Sequence, residues 1–115
     1  MTKVVADISM SLDGFVTGPD PDPEHGLGRG GEGLHTWIFS EGGRTGRDGA
    51  AVEGPQELLA GAGAVVVGRR MFDLGEEPWG DPPPFHNNPV FVVTHRPHAP
   101  IARQGGTTYT FVTDG

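Results

Sequence analysis

Ala64–Asp73 reads AVVVGRRMFD: a short apolar run passes directly into a glycine and two adjacent arginines. An uninterrupted apolar stretch of this length describes a strand buried on both faces, as in parallel sheets, and Ala64–Val67 fits it. Met71 and Leu74 then stand three apart, the spacing of a helical turn or two. The arrangement recurs downstream, where Pro89–Thr94 (PVFVVT) predicts a second buried strand ending in Thr94-His95-Arg96-Pro97. Parallel strands need a crossover between them, usually a helix, so the pair predicts an α/β sheet.

Outward from this centre, Lys3–Met10 (KVVADISM) mixes β-branched residues with alternation and predicts a strand leading into the turn Ser11-Leu12-Asp13-Gly14. Phe15–Thr17 extends briefly, and Pro19–Gly31 has no periodicity and reads as a loop. Leu34, Trp37 and Ile38 share one face of a short helix over Glu32–Ser40. Gly42–Gly54 is a second loop. Pro55–Ala62 predicts another helix, with Pro at its first position and Gly61 and Gly63 at its end. Glu76–Asn88 carries Pro82-Pro83-Pro84 and is expected to be irregular. Thr107–Thr113 predicts a final, more exposed strand. The order of elements is that of a single α/β domain over residues 1–115.

Composition narrows the function. The chain has 20 Gly and 11 Pro, concentrated in the expected loops, and a formal charge of −7, which disfavours a nucleic-acid partner. It has no cysteine, so disulfides, thiol catalysis and thiolate metal sites are excluded. Charge interrupts the N-terminal segment before an apolar run develops, which predicts a cytoplasmic protein without a membrane partner. His25, His35, His86, His95 and His98 match no ligand spacing, so no metal is expected.

The candidate chemistry lies at strand ends. A glycine at the carboxyl end of a buried strand, followed by a helix start, presents free N–H groups and a positive dipole end to an anion. Arg69 and Arg70 add guanidinium donors suited to phosphate oxygens. The other account of Gly68-Arg69-Arg70-Met71 is a solvated arginine pair closing a βα turn. Thr94, His95 and Arg96 supply a hydroxyl, an imidazole and a guanidinium at the second strand's end, as a continuation of the cradle or as a polar loop stopped by Pro97. Asp13 is a turn residue first, and a proton relay or ligand anchor second. Trp37 is either a packing residue or the wall of a substrate pocket.

These segments in this order resemble a known family. KVVADISMSLDGFVTG (Lys3–Gly18), Gly30–Trp37, AVVVGRRMFD, PVFVVTHRP and TTYTFVTDG are similar to successive elements of the dihydrofolate-reductase-like family, closest to the reductase domain of bacterial bifunctional riboflavin-biosynthesis deaminase-reductases. The resemblance implies an oxidoreductase that uses NADPH to reduce a C=N or C=O carbon of a small polar substrate that is pterin-, pyrimidine- or ribosyl-like. By it, Gly68, Arg69, Arg70 and Met71 meet the adenosine phosphate and pyrophosphate, and Thr94, His95 and Arg96 hold the 2′-phosphate ribose end. Ser9, Asp13 and Gly14 lie near the nicotinamide and substrate. The acidic residue that grips a pterin in such proteins has no counterpart here, which argues against dihydrofolate itself. The later strand with a glycine pair that opens a helix over the pyrophosphate also has none, so the chain reads as the N-terminal part of such a domain. An unpaired sheet edge would then favour a homodimer. The expectation from another class is a non-catalytic nucleotide- or phosphate-binding or assembly module.

Overall fold

The computed structural model describes residues 2–6, 8–35, 59–85 and 87–114. The chain divides into two compact units, Met1–Arg44 and Thr45–Gly115, each taken here by itself.

In the second unit, β1 (Val65–Gly68) leads straight into α1 (Arg69–Trp79), and β2 (Val90–Val93), β3 (Ile101–Ala102) and β4 (Thr108–Val112) follow. The strands form one sheet in the order β1-β2-β4-β3. β1, β2 and β4 are parallel, with Val65 opposite Val90 and Val90 opposite Tyr109. β3 runs antiparallel to β4, pairing Ala102 with Thr108. The α/β class is therefore observed, as a mixed sheet with one described helix.

Alternation along the strands decides the core. Val67, Val90, Val92 and Tyr109 are buried together with Phe72 of α1 and Phe85 of the proline-rich segment. The Phe72 ring meets Tyr109 and Phe111 edge-on, each at 5.1 Å between centroids, and Phe85 lies edge-on to Trp79 at 4.8 Å. Such T-shaped pairs add to the burial term. On the other sheet face Val66 is 69% and Val93 49% exposed. The expectation of strands buried on both faces is corrected accordingly: the aromatic layer from α1 and its following loop covers one face.

Several other expectations change. α1 is longer than a turn or two and runs through Glu76, Glu77 and Pro78, residues expected to be irregular. Pro78 sits in the last turn and withdraws one N–H from the helix's hydrogen-bond ladder, and Gly80 ends the helix at φ 71° with its N–H donating to the Glu77 carbonyl. Gly75 lies mid-helix because the Trp79 indole folds over it; a Cβ there would overlap the ring. β4 is an interior strand with Tyr109 fully buried, not the more exposed one expected. β3 was not expected at all. Its hairpin to β4 turns through Gly105 and Gly106, at φ 79° and 93°, a left-handed region that glycine enters without steric cost. Leu59 and Ala60 are helical, within the helix expected over Pro55–Ala62, whose first four residues lie outside the described ones.

In the first unit no strand forms over the described part of Lys3–Met10, and Val4, Val5, Ile8 and Met10 are exposed. Alternation alone does not make a strand; its backbone groups need a partner strand. The helix expected over Glu32–Ser40 is a 3-10 turn at Gly31–Leu34, and residues from Thr36 on lie outside the described ones. The glycine-rich loop is more ordered than its composition suggested. Gly18 donates to the Leu27 carbonyl and Arg29 to the Pro19 carbonyl, so the loop closes on itself. A Cβ on Gly18 or Gly28 would strike the facing backbone, which is why both are glycine. Asp22 caps the loop tip by accepting from the His25 N–H at 2.7 Å, and that hydrogen bond leads the causes lowering its pKa.

Candidate anion site at the carboxyl ends of β1 and β2

Because β1 and β2 are adjacent and parallel, Gly68 and Val93 face each other, and whatever follows them is brought together. A pocket of about 260 Å³ lies there, lined by Arg69, Val93, Thr94, His95 and Arg96. The sheet positions Thr94 first: its N–H donates to the Val112 carbonyl, and its buried hydroxyl accepts the Arg96 N–H at 3.0 Å.

Arg69 is the most constrained cation. Its Nη1 donates to the Arg96 carbonyl at 3.1 Å, its Nε donates to Asp73 Oδ1 at 2.8 Å, and its guanidinium lies 5.3 Å from the Phe111 ring centroid. Arg96 reaches back to the same carboxylate, donating from Nη2 to Asp73 Oδ2 at 2.9 Å. The Arg69 hydrogen bond, seconded by that from Arg96, holds the Asp73 carboxyl below its usual range against a smaller opposing effect of burial. Asp73 was not singled out in the sequence. Its signal was its place four residues after Arg69, where an oppositely charged pair meets on a helix.

Gly68 is not required by its own backbone conformation. At φ −80°, ψ 161° its backbone is one that any residue adopts, and a Cβ would meet nothing within 4 Å. Its lack of a side chain leaves the first turn of α1 uncovered, and no side chain caps that turn. Arg70 and Arg69 do not act as a fork: neighbours on a helix point about 100° apart. Arg69 joins the pocket, while Arg70 is exposed and makes no hydrogen bond or ion pair among the described residues. Met71 is exposed too, and His95 lines the pocket from its rim. The site thus unites Arg69, Thr94, His95, Arg96 and Asp73, and leaves Arg70 and Met71 aside.

Ser9, Asp13 and Gly14 belong to the first unit. There Ser11 Oγ donates to Asp13 Oδ1 at 2.6 Å and accepts the Phe15 N–H at 2.9 Å, and Gly14 turns at φ 93°. Asp13 therefore braces a tight turn, in keeping with the turn account of this segment. Trp37 lies outside the described residues.

A larger pocket, about 350 Å³, lies at the amino ends of the strands, lined by Glu76, Glu77, Gly80, Asp81 and Arg103. Arg103 donates to Glu76 Oε1 at 2.7 Å. With three carboxylates against one guanidinium, this pocket repels anions. No helix among the described residues is long and apolar enough to cross a membrane. Searches against models of known protein families and against curated proteins find no match to this chain.

Proposed function

We propose that the carboxyl ends of β1 and β2 bind the phosphate of a nucleotide cofactor, NADPH, and that the protein is a reductase of the dihydrofolate-reductase-like class. The observation that carries this reading is the gathering of Arg69, Thr94 and Arg96 around one pocket beside the uncovered first turn of α1. Ligands of α/β sheets collect beyond the carboxyl ends of strands, and helix starts favour anions. A pocket of about 260 Å³ suits a phosphoryl group with part of its sugar, not a whole dinucleotide. Arg69 and Arg96 would grip the phosphate, and His95 would line its rim. When bound, NADPH supplies the hydride; the chain's residues bind and orient it. The assignments of Ser9, Asp13 and Gly14 to the nicotinamide end, of Trp37 to substrate, and of a homodimer rest on the resemblance and on sequence alone.

A phosphate-binding module without hydride chemistry would use the same cradle. The two readings separate by mixing the protein with NADPH and a panel of small C=N and C=O acceptors. Acceptor-dependent loss of NADPH absorbance supports the reductase. Saturable NADPH binding with no turnover on any acceptor leaves the module.

A further inference from the structure

The anion site already contains an anion. Asp73 places one carboxylate oxygen on Arg69 and the other on Arg96, bridging the two guanidinium groups as two phosphate oxygens would. We infer that Asp73 is an internal competitor for this site: its hold on Arg96 lowers the site's affinity for phosphate, and more for a dianionic monoester than for a singly charged anion. The inference rests on the phosphate reading above and adds to it the group that tempers the site's affinity.

The two arginines depend on Asp73 to different degrees. Arg69 keeps its place without it, through the Arg96 carbonyl and the Phe111 ring. The Arg96 side chain is 67% exposed, and among the described residues Asp73 is its only hydrogen-bond partner. Removing the carboxylate would therefore free Arg96 without dismantling the seat of Arg69. The hydrogen bonds from Arg69 and Arg96 keep Asp73 ionised through neutral pH, so the competition is always present.

Charge counting then gives the sense of the effect. Displacing Asp73 from Arg96 costs the same whichever anion does it, but the carboxylate that stays beside the pocket repels a dianion about twice as strongly as a monoanion. A dianion is still held better than a monoanion, through Arg69, Arg96 and the first turn of α1, where no side chain caps the N–H groups. Nearby Arg70, which makes no hydrogen bond or ion pair among the described residues, adds to the same positive field.

The test uses methyl phosphate, a dianion at pH 8, and dimethyl phosphate, a monoanion, titrated separately while the amide resonances of residues 68–72 and 94–96 are followed. Wild type should prefer methyl phosphate. Asp73→Asn keeps the shape and the accepting oxygen but removes the charge. It should bind both probes about two- to fivefold more tightly, the range expected from releasing an exposed ion pair. The gain should be larger for methyl phosphate, so the preference widens. Asp73→Ser should behave alike, and in an Arg96→Gln background the gain should shrink. If Asp73→Asn binds methyl phosphate as well as wild type or less well, Asp73 organises the site, and the inference is overturned while the phosphate reading stands. Tightening without widening overturns the charge dependence. Absence of saturable binding to both wild type and Asp73→Asn overturns the phosphate reading itself.

Discussion

The two ends of the sheet carry the same chemical pair in opposite settings. At the carboxyl ends, Arg69 and Arg96 share Asp73 beside an open pocket, and cations outnumber carboxylates. At the amino ends, Arg103 meets Glu76 with Glu77 and Asp81 close by, and carboxylates outnumber cations. The Arg103 Nε and the fully buried Tyr109 hydroxyl also lack hydrogen-bond partners there among the described residues. Burial pushes the Tyr109 pKa up; Arg103 opposes the rise, and Glu76 and Asp81 reinforce it. An ion pair alone therefore does not make a ligand site. An excess of positive charge and uncapped backbone donors, not open space, distinguish the first end from the second.

The largest expected effect comes from the residue that ties the ends together. Phe72 touches both Tyr109 and Phe111, so Phe72→Ala should cost about 3–5 kcal/mol in denaturant unfolding and loosen both ends. Loss confined to one end would show that the two ends are independently supported. Gly75→Ala should act on the amino end alone. Alanine is the better helix former by about 1 kcal/mol, yet its methyl would overlap a Trp79 ring already packed on Phe85. The overpacking should win, with a net loss of about 1–2 kcal/mol; a stabilised variant would mean that the indole moves aside freely.

A matched pair of hydroxyl deletions sharpens the contrast. Thr94→Val removes the acceptor of the Arg96 N–H and should destabilise by about 1–2 kcal/mol. Tyr109→Phe removes a hydroxyl with no partner, and should be neutral or stabilising by up to about 1 kcal/mol. Equal losses would show that the Tyr109 hydroxyl has a partner in solution. Acid supplies the smallest effect. The folded-state pKa of Asp73 is depressed, so its contribution is complete above the ordinary value of 3.8 and is lost as pH falls through the lower folded value. The pair is largely exposed, so Asp73→Asn should flatten the acid limb of the stability profile by no more than about 1 kcal/mol. A shift near neutral pH would contradict this account.

The parallel strands were legible in the sequence because VVVG and VFVV are short, bounded and β-branched, although only one face of each is buried. β3 was not legible: Ile101-Ala102 has no pattern of its own and is a strand only because Thr108–Tyr109 lies beside it. Lys3–Met10 failed in the opposite sense, since its pattern is good but its backbone has no strand partner among the described residues. At the site, Arg69, Thr94 and Arg96 could be found because strand ends in a parallel pair must converge. Arg70 does not line the pocket, because adjacency in sequence is divergence on a helix. Asp73 was not legible as part of an anion site because it is itself an anion, although its spacing from Arg69 marked it.

On the proposed reading, Arg96 and Arg69 receive the phosphate that distinguishes NADPH from NADH. The direct measurement is a fluorescence titration of wild type and Arg96→Ala with each cofactor at fixed, low salt. A charge-assisted hydrogen bond is worth about 1.5–3 kcal/mol, so the variant should bind NADPH roughly ten- to a hundredfold more weakly and NADH within about twofold of wild type. Equal loss for both cofactors, or no NADPH binding by wild type, would contradict the account.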